Sequence, residues 1–160
     1  VSTAHVVGAG PNGLSAAIAL RQAGWSVTVL ERAETVGGAA RSEAVTLPGF
    51  MHDIGAGVHP FGAASPFFAS LPLSDHGLAW AQPDIPLAHP LDGGRAAVVY
   101  RSLDETVEGL KEDGRTYRRM VGQVVAHWAD LEPFILGPLA QVRPHRTATG
   151  FMGAAWSSYR

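Results

Sequence analysis

Hydrophobic and polar positions fall into blocks along the chain, and each block carries its own period. Residues 3–8, TAHVVG, are a short apolar run closed by a glycine, which predicts a buried strand. A helix is expected from Asn12 to Ala23, where Leu14, Ile18 and Leu20 give a broadly apolar side and Ser15, Ala16, Ala17 and Ala19 keep it slim. Pro11 suits the first turn, which needs no N–H there, and Gly24 suits the C-terminal end. SVTVLE, residues 26–31, is β-branched and predicts a second buried strand. Strand, helix and strand in direct succession make a βαβ unit, parallel and right-handed in nearly all cases.

After this unit the pattern loosens. Residues 32–62 are loop-rich, with Gly37, Gly38, Gly49, Gly55, Gly57 and Gly62, and short strands are expected near 43–47 and 50–54. SPFFASL, 65–71, reads as a short helix with a serine cap and proline at its first position. Residues 86–101 read as a hairpin joined at Asp92-Gly93-Gly94. Ser102 and Glu105 form an S-x-x-E capping box that opens a helix to about Glu112. A further amphipathic helix is expected from about 115 to 131, with Pro133 and Pro138 interrupting the chain beyond it.

Composition narrows the picture. The length of 160 residues suits one ordinary domain, and 46% apolar residues can supply a core. A net charge of −2, with no basic run longer than Arg118-Arg119, gives no footprint for nucleic acid. No apolar run is long enough to span a bilayer, which leaves peripheral membrane contact open. The absence of cysteine removes disulfides, thiolate metal sites and redox dithiols from this stretch and suits a cytoplasmic setting.

Gly8, Gly10 and Gly13 have the offsets of G-x-G-x-x-G, between a strand and a helix, with an acid at the end of the second strand. Gly8 permits the tight turn, Gly10 lets a pyrophosphate approach the backbone, and Gly13 lets the helix pack on the sheet. Pro11 and Asn12 begin the helix whose N–H groups and positive dipole end face the anion. Glu31, eighteen residues past Gly13, can accept from the adenosine ribose hydroxyls and would repel a 2′-phosphate, and Arg32 directly after it is expected among the cofactor-binding residues. An adenine dinucleotide is the expected ligand. A second pair, Gly37-Gly38, lies six residues beyond Glu31 and would let more backbone approach the same pyrophosphate. Arg41 could add a charge-assisted bond and Ser42 a hydroxyl. This second loop favours FAD over NAD.

The stretch from VVGAGPNGLSAAIALRQAGWSVTVLERAETVGGAARSE to HDIGAGVHPF resembles the N-terminal part of phytoene dehydrogenase-related FAD-dependent oxidoreductases, grouped with phytoene desaturases and flavin amine oxidases. The likeness continues through PLAHPLDGGRAAVVYRSLDET. The resemblance implies that Gly8, Gly10 and Gly13 take the FAD pyrophosphate and Glu31 the ribose, with Gly37, Gly38 and Arg41 as a second contact. Members often carry arginine directly after the glycine pair, where this chain has Ala39. HDIGAG, 52–57, is similar to the family's D-x-G turn, so Gly55 and Ala56 would approach the flavin. The resemblance also implies hydride transfer from an apolar, isoprenoid-like substrate.

The implied architecture is α/β: an FAD/NAD(P)-binding Rossmann-like βαβ with an added hairpin and helices. Residues 1–62 hold the βαβ unit and second glycine loop, and 63–160 begin a substrate or cap region. With only one βαβ unit legible, the chain is expected to be the opening part of a larger two-domain enzyme. Its foremost partner would then be the remainder of the same polypeptide, and alone it should bind FAD weakly. His52, His59, His76 and His89 match no metal-ligand spacing, so no metal is expected. Asp53 should fix its turn through side-chain-to-backbone bonds. Asp104 and Glu105 suit a helix's first turn, while Arg118, Arg119, Trp128 and Phe134 divide into a solvated and a packed face. No nucleophile or acid–base pair stands out, and no catalytic residue is nominated. An NAD-dependent dehydrogenase and a non-enzymatic escort protein of the same fold remain the alternatives.

Overall fold

The structure, a computed structural model, describes residues 1–137 and divides into two compact units, Val1–Pro60 and a second beginning at Phe61. In the first unit β1 (Thr3–Val7), α1 (Pro11–Gln22) and β2 (Ser26–Leu30) form the βαβ motif. The strands are parallel, with Thr3 opposite Ser26 and Val7 opposite Leu30. Ala4, Val6, Val27 and Val29 alternate with exposed neighbours and share the face that α1 covers. Helix α1 ends as the sequence predicts. Gly24 takes φ +86°, its N–H donates to the Arg21 carbonyl, and the Trp25 N–H donates to Leu20, which closes a Schellman turn.

The strands are less buried than the sequence predicts. Val7 is 84% exposed and Leu30 51%, and the buried apolar residues of this unit are Ala9 and Ala17. Among the described residues of this unit the parallel sheet has two strands with a helix on one face, so residues pointing away from α1 stay exposed. β3 (Ser42–Glu43) and β4 (His52–Asp53) pair antiparallel, two residues each, shorter than the strands expected near 43–47 and 50–54.

α2 (Pro60–Ala64), a helix that the sequence pattern does not announce, precedes α3 (Pro66–Ala69), where Ser65 Oγ accepts the Phe68 N–H. β5 (Leu87–Leu91) and β6 (Arg95–Val99) form the expected hairpin, turning at Gly93 and Gly94 with φ of +73° and +72°. α4 (Leu103–Gly109) starts at Ser102, whose hydroxyl accepts the Glu105 N–H. It stops short of Glu112 at a 3-10 turn, Lys111–Asp113. There Lys111 takes φ +52°, and Gly114 packs so tightly that a methyl on it would stand 2.1 Å from the Val107 carbonyl oxygen.

The long helix expected over 115–131 is two helices, α5 (Gly114–Ala126) and α6 (Trp128–Leu136), because His127 leaves helical geometry at φ −112° and ψ 21°. Pro133 lies inside α6 instead of interrupting it, and its missing N–H leaves one backbone bond of the helix unmade. Leu131, 5% exposed, is the packed residue here, and Phe134 is 41% exposed, so the packed face is not the one expected. The interruption expected at Pro138 lies outside the described residues. Among the described residues no helix is long and apolar enough to cross a membrane.

Candidate functional site

The three loop glycines are glycine for three different reasons. Gly8 holds φ +99°, and its N–H donates to the Leu30 carbonyl at 2.7 Å, which ties the turn to the end of β2. Gly13 has no room: a methyl there would stand 2.0 Å from the Gly8 carbonyl oxygen. Gly10 is different. Its φ of −78° and ψ of 175° suit any residue, and a methyl on it would meet only the Gly38 Cα, at an ordinary 3.7 Å. Among the described residues, neither conformation nor packing demands glycine at 10. Gly10 also caps α1 without any side-chain bond, Pro11 stands exposed at the first helical position, and the first turn holds no acid. The N–H groups after Pro11, at Asn12 and Gly13, thus belong to a helix end whose positive dipole no side chain of its own cap or first turn offsets.

Glu31 is just past the end of β2, and both of its oxygens are engaged. Oε2 accepts the Ala9 N–H at 2.7 Å, and Oε1 accepts the Ala33 N–H at 2.8 Å. The Ala33 and Ala9 amides, with smaller help from the Arg32 amide and charge, hold this carboxyl below its ordinary range. Sequence reasoning placed Glu31 at the site but missed Ala9 and Ala33. Backbone donors leave no compositional trace, because every residue but proline has one.

The second glycine turn lies directly on the first. Gly37 and Gly38 hold φ of +116° and +55°, the Gly37 N–H donates to the Ala9 carbonyl at 2.8 Å, and a methyl on Gly38 would stand 2.9 Å from the Gly10 Cα. A third turn joins them. The Ala56 N–H donates to the Ala39 carbonyl at 2.7 Å, and the Ile54 N–H donates to the Arg41 carbonyl at 2.9 Å. A methyl on Gly55 would stand 2.8 Å from the Ala39 oxygen. Residues 8–13, 37–41 and 54–56 are therefore gathered main chain against main chain, around glycines separated widely in sequence.

Two side chains have partners other than those expected. Ser42 Oγ donates to Asp53 Oδ1 at 2.5 Å, so its proton is committed to a carboxylate and is not free for a phosphate. The same bond shows that Asp53 fixes its turn through the Ser42 side chain, not through backbone donors. Arg41 Nε lies against the Glu43 carboxylate as an ion pair, without the alignment of a hydrogen bond. Glu43, two residues along an extended strand and hence on the same side, went unread in the sequence. His52 Nε2 is 2.6 Å from Thr46 Oγ1, and His59 is exposed.

Comparison with known proteins agrees with this geometry. Residues 6–71 match the NAD(P)-binding Rossmann-like domain family, a stretch that runs from the end of β1 through α1, β2 and all three turns. The chain is also similar to a subunit of limonene dehydrogenase from Castellaniella defragrans, at 30% identity over 106 residues, which is 66% of this chain. It spans 19% of that relative's length. The chain is thus a mixed α/β protein whose N-terminal part is a Rossmann-like dinucleotide-binding fold.

Proposed function

We propose that this chain supplies the FAD-binding part of a flavin-dependent oxidoreductase that removes hydride from an apolar, isoprenoid-like substrate. The observation that carries the reading is Gly10, a glycine that nothing among the described residues requires, at the mouth of an uncapped helix and against a second glycine turn. A bound group accounts for it, and a diphosphate fits the bare amides and the dipole. Glu31 would accept the ribose hydroxyls, and its charge disfavours a 2′-phosphate. Gly37 and Gly38 extend the bare backbone, and Arg41, paired with Glu43, stands against that turn. Gly55 and Ala56, on the third turn, would lie toward the flavin.

FAD, when bound, supplies the hydride acceptor. The residues of this chain bind and orient: the glycine turns fix the diphosphate, Glu31 fixes the sugar, and the third turn sets the wall beside them. The name of the relative points the same way, since limonene is an apolar hydrocarbon. A second reading, an NAD-dependent dehydrogenase, is favoured by the matching domain's description as NAD(P)-binding. The test is to purify the full-length protein, denature it, and identify the released cofactor by chromatography and absorption. Released FAD supports the first reading. Release of NAD, or its saturable binding without flavin, overturns it.

A further inference from the structure

Glu31 has a second task that the ribose contact does not explain. Its two oxygens reach two backbone amides on opposite sides of it in sequence, Ala9 within the glycine loop and Ala33 beyond β2. Ala9 is 1% exposed, so its N–H has no recourse to water, and no other acceptor meets it among the described residues. The opposite end of Ala9 is held too, since its carbonyl accepts the Gly37 N–H. Ala9 is thus pinned by Glu31 on one side and by the second glycine turn on the other, directly beside Gly10.

We propose that Glu31 is a positioning residue for the diphosphate cradle: its carboxylate clasps the Ala9 and Ala33 amides and holds the glycine loop in its receptive shape before any nucleotide arrives. This rests on the dinucleotide reading above. An ionised carboxylate offers about four lone-pair sites, and the clasp uses two. Two remain for the two ribose hydroxyls, so ligand and loop can be held together. Glutamine has the same size but a single acceptor oxygen, and its amide N–H₂ would face a second donor; Glu31→Gln therefore undoes half the clasp.

The test compares two probes, ADP and 2′,3′-dideoxy-ADP, titrated calorimetrically into cofactor-stripped full-length protein and its Glu31→Gln variant. The dideoxy probe cannot touch Glu31 through hydroxyls. The expected result is that Glu31→Gln weakens the dideoxy probe about tenfold, the order of one charge-assisted bond, and ADP by more. If the variant binds the dideoxy probe as wild type does while losing ADP, Glu31 acts only on the sugar and the clasp is overturned. If neither probe binds wild type, the nucleotide reading has failed, and amide spectroscopy decides the clasp by itself. Ala33 is exposed, so slow exchange of its amide proton reports the bond to Glu31 directly. Exchange about tenfold slower in wild type, with an Ala33 shift that titrates only while Glu31 is present, supports the clasp. Equal exchange and no titration refute it.

Discussion

Replacing Gly10 and Gly13 by alanine, one at a time, separates what the ligand needs from what the fold needs. At Gly13 the new methyl would start 2.0 Å from the Gly8 carbonyl oxygen and 3.1 Å from its carbon. Backbone cannot swing aside as a side chain can, so the helix or the turn must move by about 1 Å. Overpacking of this kind costs typically about 1–3 kcal/mol, and a main-chain clash belongs at the upper end. Alanine's better helix propensity returns at most about 1 kcal/mol. A net loss of about 2 kcal/mol is expected for Gly13→Ala. At Gly10 the methyl meets one atom at 3.7 Å and the backbone is already in a region open to alanine, so stability should change by less than about 1 kcal/mol. Binding should reverse the order of surprise: Gly10→Ala, folded and stable, should weaken the dinucleotide about a hundredfold, some 2.7 kcal/mol. Urea unfolding of the full-length variants measures the first quantity, and titration with FAD after cofactor removal measures the second. If Gly10→Ala unfolds as easily as Gly13→Ala, or keeps FAD with unchanged affinity, the assignment of Gly10 to the ligand is wrong.

Gly38→Ala should destabilise by about 2 kcal/mol in the same urea assay, since φ +55° disfavours a side chain and the methyl would press on Gly10. Thr106→Val should cost about 1–3 kcal/mol although the shape is kept. The hydroxyl of this 1% exposed residue accepts the Tyr100 N–H at 2.9 Å and lies 2.9 Å from the Ser102 carbonyl, and only a folded-state polar loss is at stake. Glu31 has a folded pKa lowered by the Ala33 and Ala9 amides, so its contribution is present above the unfolded glutamate value, about 4.3, and is lost as pH falls through the lowered one. The stability gap between wild type and Glu31→Gln should accordingly narrow on acidification, as read by urea midpoints across pH; a gap that widens would contradict the sign.

The βαβ unit was legible because its signals are local and redundant: an apolar run, glycines at fixed offsets, and a proline and a glycine bracketing α1. The hairpin at Asp92-Gly93-Gly94 was legible for the same reason. The break at His127 was not, since neither glycine nor proline marks it and the apolar period continues across it. β3 and β4, two residues each, are too short to carry any period. Within the site, glycines announced themselves, because a missing side chain is visible in sequence. The partners of Glu31, Gly37 and Ala39 did not, because they are peptide groups. Ser42 looks free for a phosphate in the sequence because a turn that sequence alone does not draw brings Asp53 to it from eleven residues on, whereas the partner of Arg41, Glu43, is local and went unread.

The stacked turns touch through peptide groups, so most side-chain replacements along the connection between them should pass unnoticed, while a change in its length should not. Five residues, Arg32 to Val36, separate the acid from the first amide of the second turn. One residue more or fewer shifts an extended chain by about 3.3 Å, more than the whole length of the Gly37-to-Ala9 bond. Spelling along that connection can drift; its count is fixed.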